Sequence, residues 1–312
     1  MRVLGHIHTF NEAAVIDRSL RALLDQTYPV GEILLVDNAS TDDTLNRPFP
    51  DQVKVISFRE NSLTSAPIIT AMQYAKEHGY DWVWLLDGDS APRADALAKL
   101  MDLYSSFDAE LQESVWLLAA LPVDITTQRS DHGFMVTRRG LKQVFPGPDQ
   151  VAYECDATIW SGSVYKLTAV EKVGLPRADY AMDIAEIEYG YRGRRLGYRA
   201  FVHQGSILDH NLSGPSVTSR SLRFGPVTLK LIEVQPFRCY YVVRNVVYFW
   251  FYDYHDRNVF TYAYCILKIA KFVASFVLRP ATHWRQIAAC ARGLWDGLFN
   301  RMDSRYAISP RR

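Results

Sequence analysis

Trp84-Leu85-Leu86-Asp87-Gly88-Asp89-Ser90 (WLLDGDS, 84–90) joins an apolar run to two carboxylates separated by one glycine. At the end of an extended segment, residues two apart point to the same side, so Asp87 and Asp89 can face one ion while Gly88 permits a tight turn. Hard oxygen ligands with open positions suit Mg²⁺ or Mn²⁺ bridging a diphosphate. An isolated Asp-x-Asp is a weak signal, because turn-forming Asp is common at strand ends. Its surroundings decide what it means.

Upstream, Arg2 to Ile7 reads as a strand, Glu12 to Gln26 carries apolar residues at helical spacing, and Glu32 to Val36 is a second apolar run entering the turn-rich Asp37-Asn38-Ala39-Ser40-Thr41-Asp42. Val53 to Phe58 reads as a third strand, Ala66 to His78 as a helix closed by Gly79, and Asp81 to Leu86 as a fourth strand. Strands alternating with helices predict an α/β fold, a mostly parallel sheet with helices on both faces. Ligands bind such sheets at the carboxyl ends of the strands, where three polar clusters fall: His8 to Glu12, Asp37 to Asp42 and Asp87 to Ser90. Neither GxxxxGK[ST] nor GxGxxG follows any of these strands, so a bound phosphate needs another counter-charge, which a metal on Asp87 and Asp89 would supply.

The composition, 48% hydrophobic and 22% charged over 312 residues, excludes disordered and fibrous architectures. The net charge of +1 argues against a nucleic-acid binder but conceals a split. Residues 1–225 carry 22 Lys+Arg against 29 Asp+Glu, whereas 226–312 carry 13 against 5 and hold 18 of the 40 aromatics. Two parts are expected, an acidic body over 1–225 and a basic, aromatic, helical subdomain over 226–312. Cys155, Cys239, Cys265 and Cys290 form no CxxC pair, and MRVLGHIHTF is too quickly polar for a signal peptide. Reduced thiols and a cytoplasmic setting are expected.

HTFNEA (8–13), LLVDNASTDDT (34–44), WLLDGDS (84–90) and the stretch around 154–192 occur in the order found in family-2 glycosyltransferases of the GT-A fold, which residues 1–212 resemble. Within the family the resemblance is nearest to rhamnosyltransferase-like and galactofuranosyltransferase-like members, whose second motif also reads VDNASxD. It implies that Thr9, Phe10, Glu12 and Asn61 line the nucleotide pocket with Gly88, that Asp37 bonds the base, that Asp87 faces ribose or metal, and that Asp89 holds the metal. The lesser reading of Asp37 is a turn cap beside Ser40 and Thr41. Ser62, Thr64 and Ser65 stand where relatives often have glycine.

Further along, Trp160, Ser161 and Gly162 resemble the turn of small residues on the acceptor and donor-sugar side. Asp183-Ile184-Ala185-Glu186-Ile187-Glu188 resembles the family's acidic cluster, which aligned on Arg192 places the catalytic carboxylate on Glu186, with Asp183 and Glu188 as neighbouring candidates. On a continuous helix Asp183 and Glu186 would share a face at i, i+3, and the neighbouring charge would raise the pKa of Glu186 toward that of a working base. A solvated acidic helix start is the bland alternative. The resemblance also implies a third metal ligand at His210, with His203 as runner-up, and mixed ligation tilts the metal toward Mn²⁺ over Mg²⁺. The reaction implied is an inverting transfer of rhamnose, galactofuranose or a similar sugar from a UDP- or dTDP-sugar to a glycan or lipid-linked acceptor, in bacterial-type cell-surface polysaccharide synthesis. Glu186 would remove the acceptor proton. Sugar nucleotidyltransferases usually have a glycine-rich basic loop after the first strand, which His8-Thr9-Phe10-Asn11-Glu12 lacks. A DxD phosphatase would carry its pair after the first strand, and a non-catalytic binding protein would be expected to have lost Asp89 or the acidic cluster.

In the tail, Phe237 to Phe251 (FRCYYVVRNVVYFWF) is aromatic and basic, and a similar YYxxRN segment follows the catalytic domain of rhamnosyltransferase-like relatives. Val259 to Leu278 is long enough to span a bilayer, but Lys268 and Lys271 near its middle favour a helix lying in the membrane interface or packed on the body. Trp284, Trp295, Phe299 and Tyr306 among Arg279, Arg285, Arg292, Arg301 and Arg305 suit an anionic surface, placing the protein peripherally at the cytoplasmic face of the inner membrane.

Overall fold

The computed structural model describes residues 1–147, 149–210, 220–224, 227–231, 234–278 and 283–306. The expected boundary at 225/226 and Arg279 lie outside these residues. The chain divides into two compact units. One comprises Met1–Met135, Lys142–Ala178 and Tyr189–Leu212, and the other Val136–Leu141, Asp179–Glu188 and Ser213–Arg312.

The first unit is built on strands β1 (Val3–Thr9), β2 (Glu32–Asp37), β3 (Val53–Ser57), β4 (Trp82–Asp87), β5 (Ala91–Pro92) and β6 (Val115–Asp124). A separate hairpin follows, β7 (Phe134–Thr137) with β8 (Gly140–Gln143), and then β9 (Ala152–Cys155), β10 (Ser163–Lys166) and β11 (Arg199–His210). The main sheet runs β3-β2-β1-β4-β10-β6-β11-β5, with β9 also on β11. Strands β1 to β4 are parallel, as expected from their alternation with helices, and β10 inserts antiparallel between β4 and β6.

Helices cover both faces because the strand residues alternate. Ile33 and Leu35 of β2 join the core cluster with Ile16, Leu20 and Leu23 of helix α1 (Ile16–Leu24). Leu34 and Val36, also fully buried, point to the opposite face by the two-residue period. Helix α2 (Ser65–Glu77), which packs on β1, β2 and β4, buries Ile68, Ala71, Met72 and Ala75. Sheet register does the rest of the positioning. Thr9 stands opposite Asp37, and His8 opposite Asp87, so three polar strand ends meet along one edge.

In the second unit, helix α7 (Pro236–Tyr248) runs into one wide π-helical turn over Phe249–Asp253. Helices α8 (Val259–Val277) and α9 (Trp284–Leu298) follow; α3 to α6 denote Ala96–Ser106, Ala109–Ser114, Leu167–Val173 and Ala185–Arg195. Asn258 caps α8 by accepting the N–H groups of Phe260 and Thr261 at 2.9 and 3.1 Å. Among the described residues, α8 is the one helix long and apolar enough to cross a membrane by length and composition.

Helices α7 and α9 approach closely through glycine. A Cβ at position 293 would run into the Tyr240 carbonyl, and one at position 297 would meet the Arg244 carbonyl at 2.8 Å. Gly293→Val is expected to destabilise the fold by about 1–3 kcal/mol, because backbone cannot give way as a flexible side chain would. Chemical denaturation checks this, and an unchanged midpoint would refute the close approach.

Candidate active site

The strand ends assemble a cluster of donors. Asp87, Asp89 and His210 offer ligand atoms that all lie within 4.8 Å of one another. His210 comes to the DGD turn because β11 pairs with β5, setting Asp209 opposite Ala91. The imidazole Nε2 is 4.0 Å from Asp87 and Nδ1 is 3.6 Å from Asp89. Burial, and the charge of Asp87 beside it, push the pKa of Asp89 up, against the lowering effect of His210. Two crowded carboxylates and one imidazole are a donor set that fits Mn²⁺ or Mg²⁺. His203, the second histidine candidate, is used otherwise: its Nδ1 accepts the N–H groups of Gly205 and Ser206 at 2.9 and 3.0 Å.

A hydroxyl chain braces this cluster. The Asp87 N–H donates to Ser161 Oγ at 3.0 Å, Ser161 donates to Ser90 Oγ at 2.8 Å, and Ser90 Oγ lies 2.6 Å from His210 Nδ1. An ion held through Nε2 would leave the ring proton on Nδ1, where Ser90 would accept it. Ser90→Ala is therefore expected to cost about 10–100-fold in metal affinity, measured by Mn²⁺ titration calorimetry. Unchanged affinity would remove Ser90 from the site.

Three residues near the cluster went unassigned in the sequence. His8 Nδ1 is 3.3 Å from Asp87 Oδ1, and the β1–β4 register is the signal that could have found it. Ser90 was legible only as the residue after the motif. Asp131, whose pKa burial raises while His132 and His210 oppose the rise, stands in a loop after β6 with no pattern to mark it.

The residues expected around a nucleotide also gather at the strand ends. Thr9 donates to Glu12 Oε2 at 2.8 Å, and burial pushes the pKa of Glu12 up to about 8. A Cβ at position 88 would collide with the Glu12 carboxyl, so Gly88 gives that side chain its place. Asp37 is buried and accepts the Ser40 N–H with both oxygens, at 3.3 and 3.2 Å, so the turn-cap geometry is present. Asn61 accepts from Asn38 Nδ2 at 3.2 Å and from the Leu63 N–H at 2.9 Å, while Phe10 is half-buried. Gly162 adopts φ +87° after Ser161, and the neighbouring Trp160 keeps a buried indole N–H that has no hydrogen-bond partner among the described residues.

The acidic segment lies in the second unit, and there one expectation is corrected. Asp183 and Glu186 do not share a helix face, because α6 begins only at Ala185. Ala181, Asp183 and Ile184 have φ of +59°, +33° and +72°, a left-handed path that the apolar pattern did not signal. Asp183 instead pairs with Arg238, at 3.0 and 3.2 Å. Burial first, then the charge of Asp183, push the pKa of Glu186 up to about 7, with Arg238 and Lys268 pulling the other way. Glu188 is more deeply buried than Glu186.

The YYxxRN segment holds the left-handed loop. The Asn245 amide donates to the carbonyls of Tyr180, Met182 and Asp183 at 2.7, 2.6 and 2.9 Å, and Arg244 donates to that of Asp179. Asn245→Leu strands these buried carbonyls and is expected to cost about 1–3 kcal/mol of stability in urea denaturation. A loss confined to a few tenths would show that the loop does not depend on the amide.

Residues 6–111 match the glycosyl transferase family 2 model. No curated protein matches the chain in sequence. Among solved structures, the chain is similar to GalNAc-T7, crystallised with UDP, GalNAc and Mn²⁺, at 15% identity and TM-score 0.55 over 67% of this chain and 43% of that one. It is similar to Staphylococcus aureus TarS at 12% identity and TM-score 0.54, over 95% of this chain and 55% of that one. TarS residues 1–349 in complex with UDP-GlcNAc give 15% identity and TM-score 0.58, over 97% of this chain and 83% of that one. The chain thus spans about half the length of the first two. These likenesses establish the GT-A fold, with a C-terminal helical extension.

Proposed function

We propose that the protein is a metal-dependent inverting glycosyltransferase that moves rhamnose, galactofuranose or a similar sugar from a UDP- or dTDP-sugar to a hydroxyl of a glycan or lipid-linked acceptor. The observation that carries this reading is the Asp87, Asp89 and His210 cluster at the strand ends, within a chain that matches the family over residues 6–111. The neighbours' UDP, UDP-GlcNAc and Mn²⁺ support a nucleotide-sugar donor and a divalent ion.

Asp87, Asp89 and His210 would hold Mn²⁺ or Mg²⁺, which would supply positive charge to the diphosphate leaving group. Thr9, Phe10, Glu12, Asn61 and Gly88 line the nucleotide, and Asp37 accepts from the base. Trp160, Ser161 and Gly162 lie on the sugar side, where the Trp160 N–H, unpartnered among the described residues, can donate. Glu186 takes the acceptor proton, because an alcohol is a poor nucleophile until the proton leaves as the bond forms. The work belongs to bacterial-type surface polysaccharide synthesis at the cytoplasmic face of the inner membrane.

A thermal-shift screen of nucleoside diphosphates and their sugars, with and without Mn²⁺, followed by product analysis on the stabilising donor, tests the assignment. Nucleoside diphosphate release is expected. Pyrophosphate would indicate a nucleotidyltransferase, and binding without turnover a non-catalytic protein.

A further inference from the structure

Helix α8 is amphipathic the wrong way round for a helix facing water. A soluble surface helix buries its apolar stripe and exposes its polar residues. Here Thr261, Cys265 and Ser275 point inward with Phe276, while Val259, Phe260, Ile266, Leu267, Val277 and Leu278 are 46–72% exposed. These six recur at helical spacing, so they form one continuous outward stripe. Helix α9 repeats the arrangement. Ala289, Cys290, Gly293 and Gly297 are buried, and Trp284, Trp295, Leu298 and Phe299 are 37–70% exposed.

Charge on these faces has a single sign. Residues 259–278 contain no Asp or Glu, and the one acid on α9, Asp296, is buried and accepts the Tyr240 hydroxyl at 2.8 Å. Lys271, Arg285 and Arg292 are exposed. We propose that the outward faces of α8 and α9 form a docking surface for an anionic lipid bilayer, lying in its interface. The apolar stripes enter the boundary of the acyl chains, tryptophans sit at headgroup level, and the cations meet lipid phosphates.

Two other occupants fit less well. A symmetric dimer sets the same patch against itself, which would oppose Lys271 and Arg285 with their own copies and no exposed acid on either helix to pair them, while Arg292 already faces Asp296 at 3.7 Å. A membrane span would need lipid around α8, but its inner face is already packed. Thr261 Oγ1 donates to the Arg138 carbonyl at 3.0 Å, Tyr264 stacks edge-on against Trp250 with centroids 5.3 Å apart, and the half-buried Lys268 stands 5.8 Å over the Tyr264 ring. Only Lys271 stays on the exposed side, where a helix lying in the plane lets it reach the headgroups. This inference stands independently of the sugar-transfer reading.

Co-sedimentation of the full chain with phosphatidylglycerol/phosphatidylcholine vesicles at low salt is the test. Binding is expected, released by high salt or by carbonate. Lys271→Gln with Arg285→Gln should weaken it about twenty-fivefold, from roughly fivefold for each surface cation. Leu267→Glu with Trp295→Glu should abolish it while leaving the thermal melt unchanged, as both side chains are exposed. A chain that stays in the supernatant, that resists carbonate as an integral protein does, or whose double Glu variant instead dissociates a dimer would overturn the proposal.

Discussion

Glu186→Gln is expected to abolish sugar transfer while leaving nucleotide-sugar binding intact. Glutamine keeps the shape of the side chain and removes only its ability to take a proton, so the loss falls on turnover and not on donor affinity. General bases contribute about 10²–10⁴-fold, which sets the expected fall in kcat. The pH profile gives an independent signature. With Glu186 pushed up to about 7, the parent's rate should fall tenfold per unit below that pH as the carboxylate protonates. The groups facing Glu186 set where this limb lies. Asp183→Asn removes the nearby negative charge and frees Arg238, so the limb should move to lower pH, and Arg238→Gln should move it higher. Lys268→Gln should act in the same direction as Arg238→Gln.

Stability should respond with the opposite sense. The pKa of Glu186 is above its ordinary 4.5 in the folded state, so folding favours the protonated form. That contribution is fully present below about pH 4.5 and is lost as pH rises through about 7. Relative to its parent, the Gln variant should therefore melt progressively higher between those values. An active Gln variant, or a profile flat through pH 7, would remove Glu186 from the mechanism.

Asp89→Ala carries the second large effect. It removes one of three donors, so its cost in metal affinity should exceed the 10–100-fold expected for a residue that only orients a ligand. Calorimetric titration with nucleoside diphosphate, with and without Mn²⁺, reads this directly. The parent should gain affinity from the metal and the variant should not, with turnover falling in parallel. A metal-dependent gain that survives in the variant would mean that another group holds the ion.

Local pattern made the strand-end chemistry legible. Apolar runs, turn residues and the Asp-x-Asp spacing located Asp37, Asp87 and Asp89, because a parallel sheet delivers its carboxyl ends to one edge whatever the loops do. His210 needed more, since it reaches Asp89 only through the pairing of β11 with β5, two elements more than 100 residues apart. The loop before Glu186 was misread for a different reason. Asp183 and Ile184 take left-handed backbone without glycine, a conformation no apolar periodicity reports and one held by an amide 62 residues downstream of Asp183. Lys268 and Lys271 looked equivalent as two charges in an apolar run. Packing separates them, Lys268 half-buried over the Tyr264 ring and Lys271 exposed to solvent.

The capture of residues 179–183 by Asn245 and Arg244 changes what counts as a module in this chain. A boundary drawn before the C-terminal helices would look natural to anyone designing a truncation or exchanging tails between relatives. Such a cut would separate the presumed accessory from a segment whose conformation it dictates, leaving the loop before Glu186 without its anchors. The compact unit is discontinuous, Val136–Leu141 and Asp179–Glu188 together with Ser213–Arg312. A chimera that swaps all three segments should retain its acid–base behaviour, whereas one that swaps the tail alone should lose it.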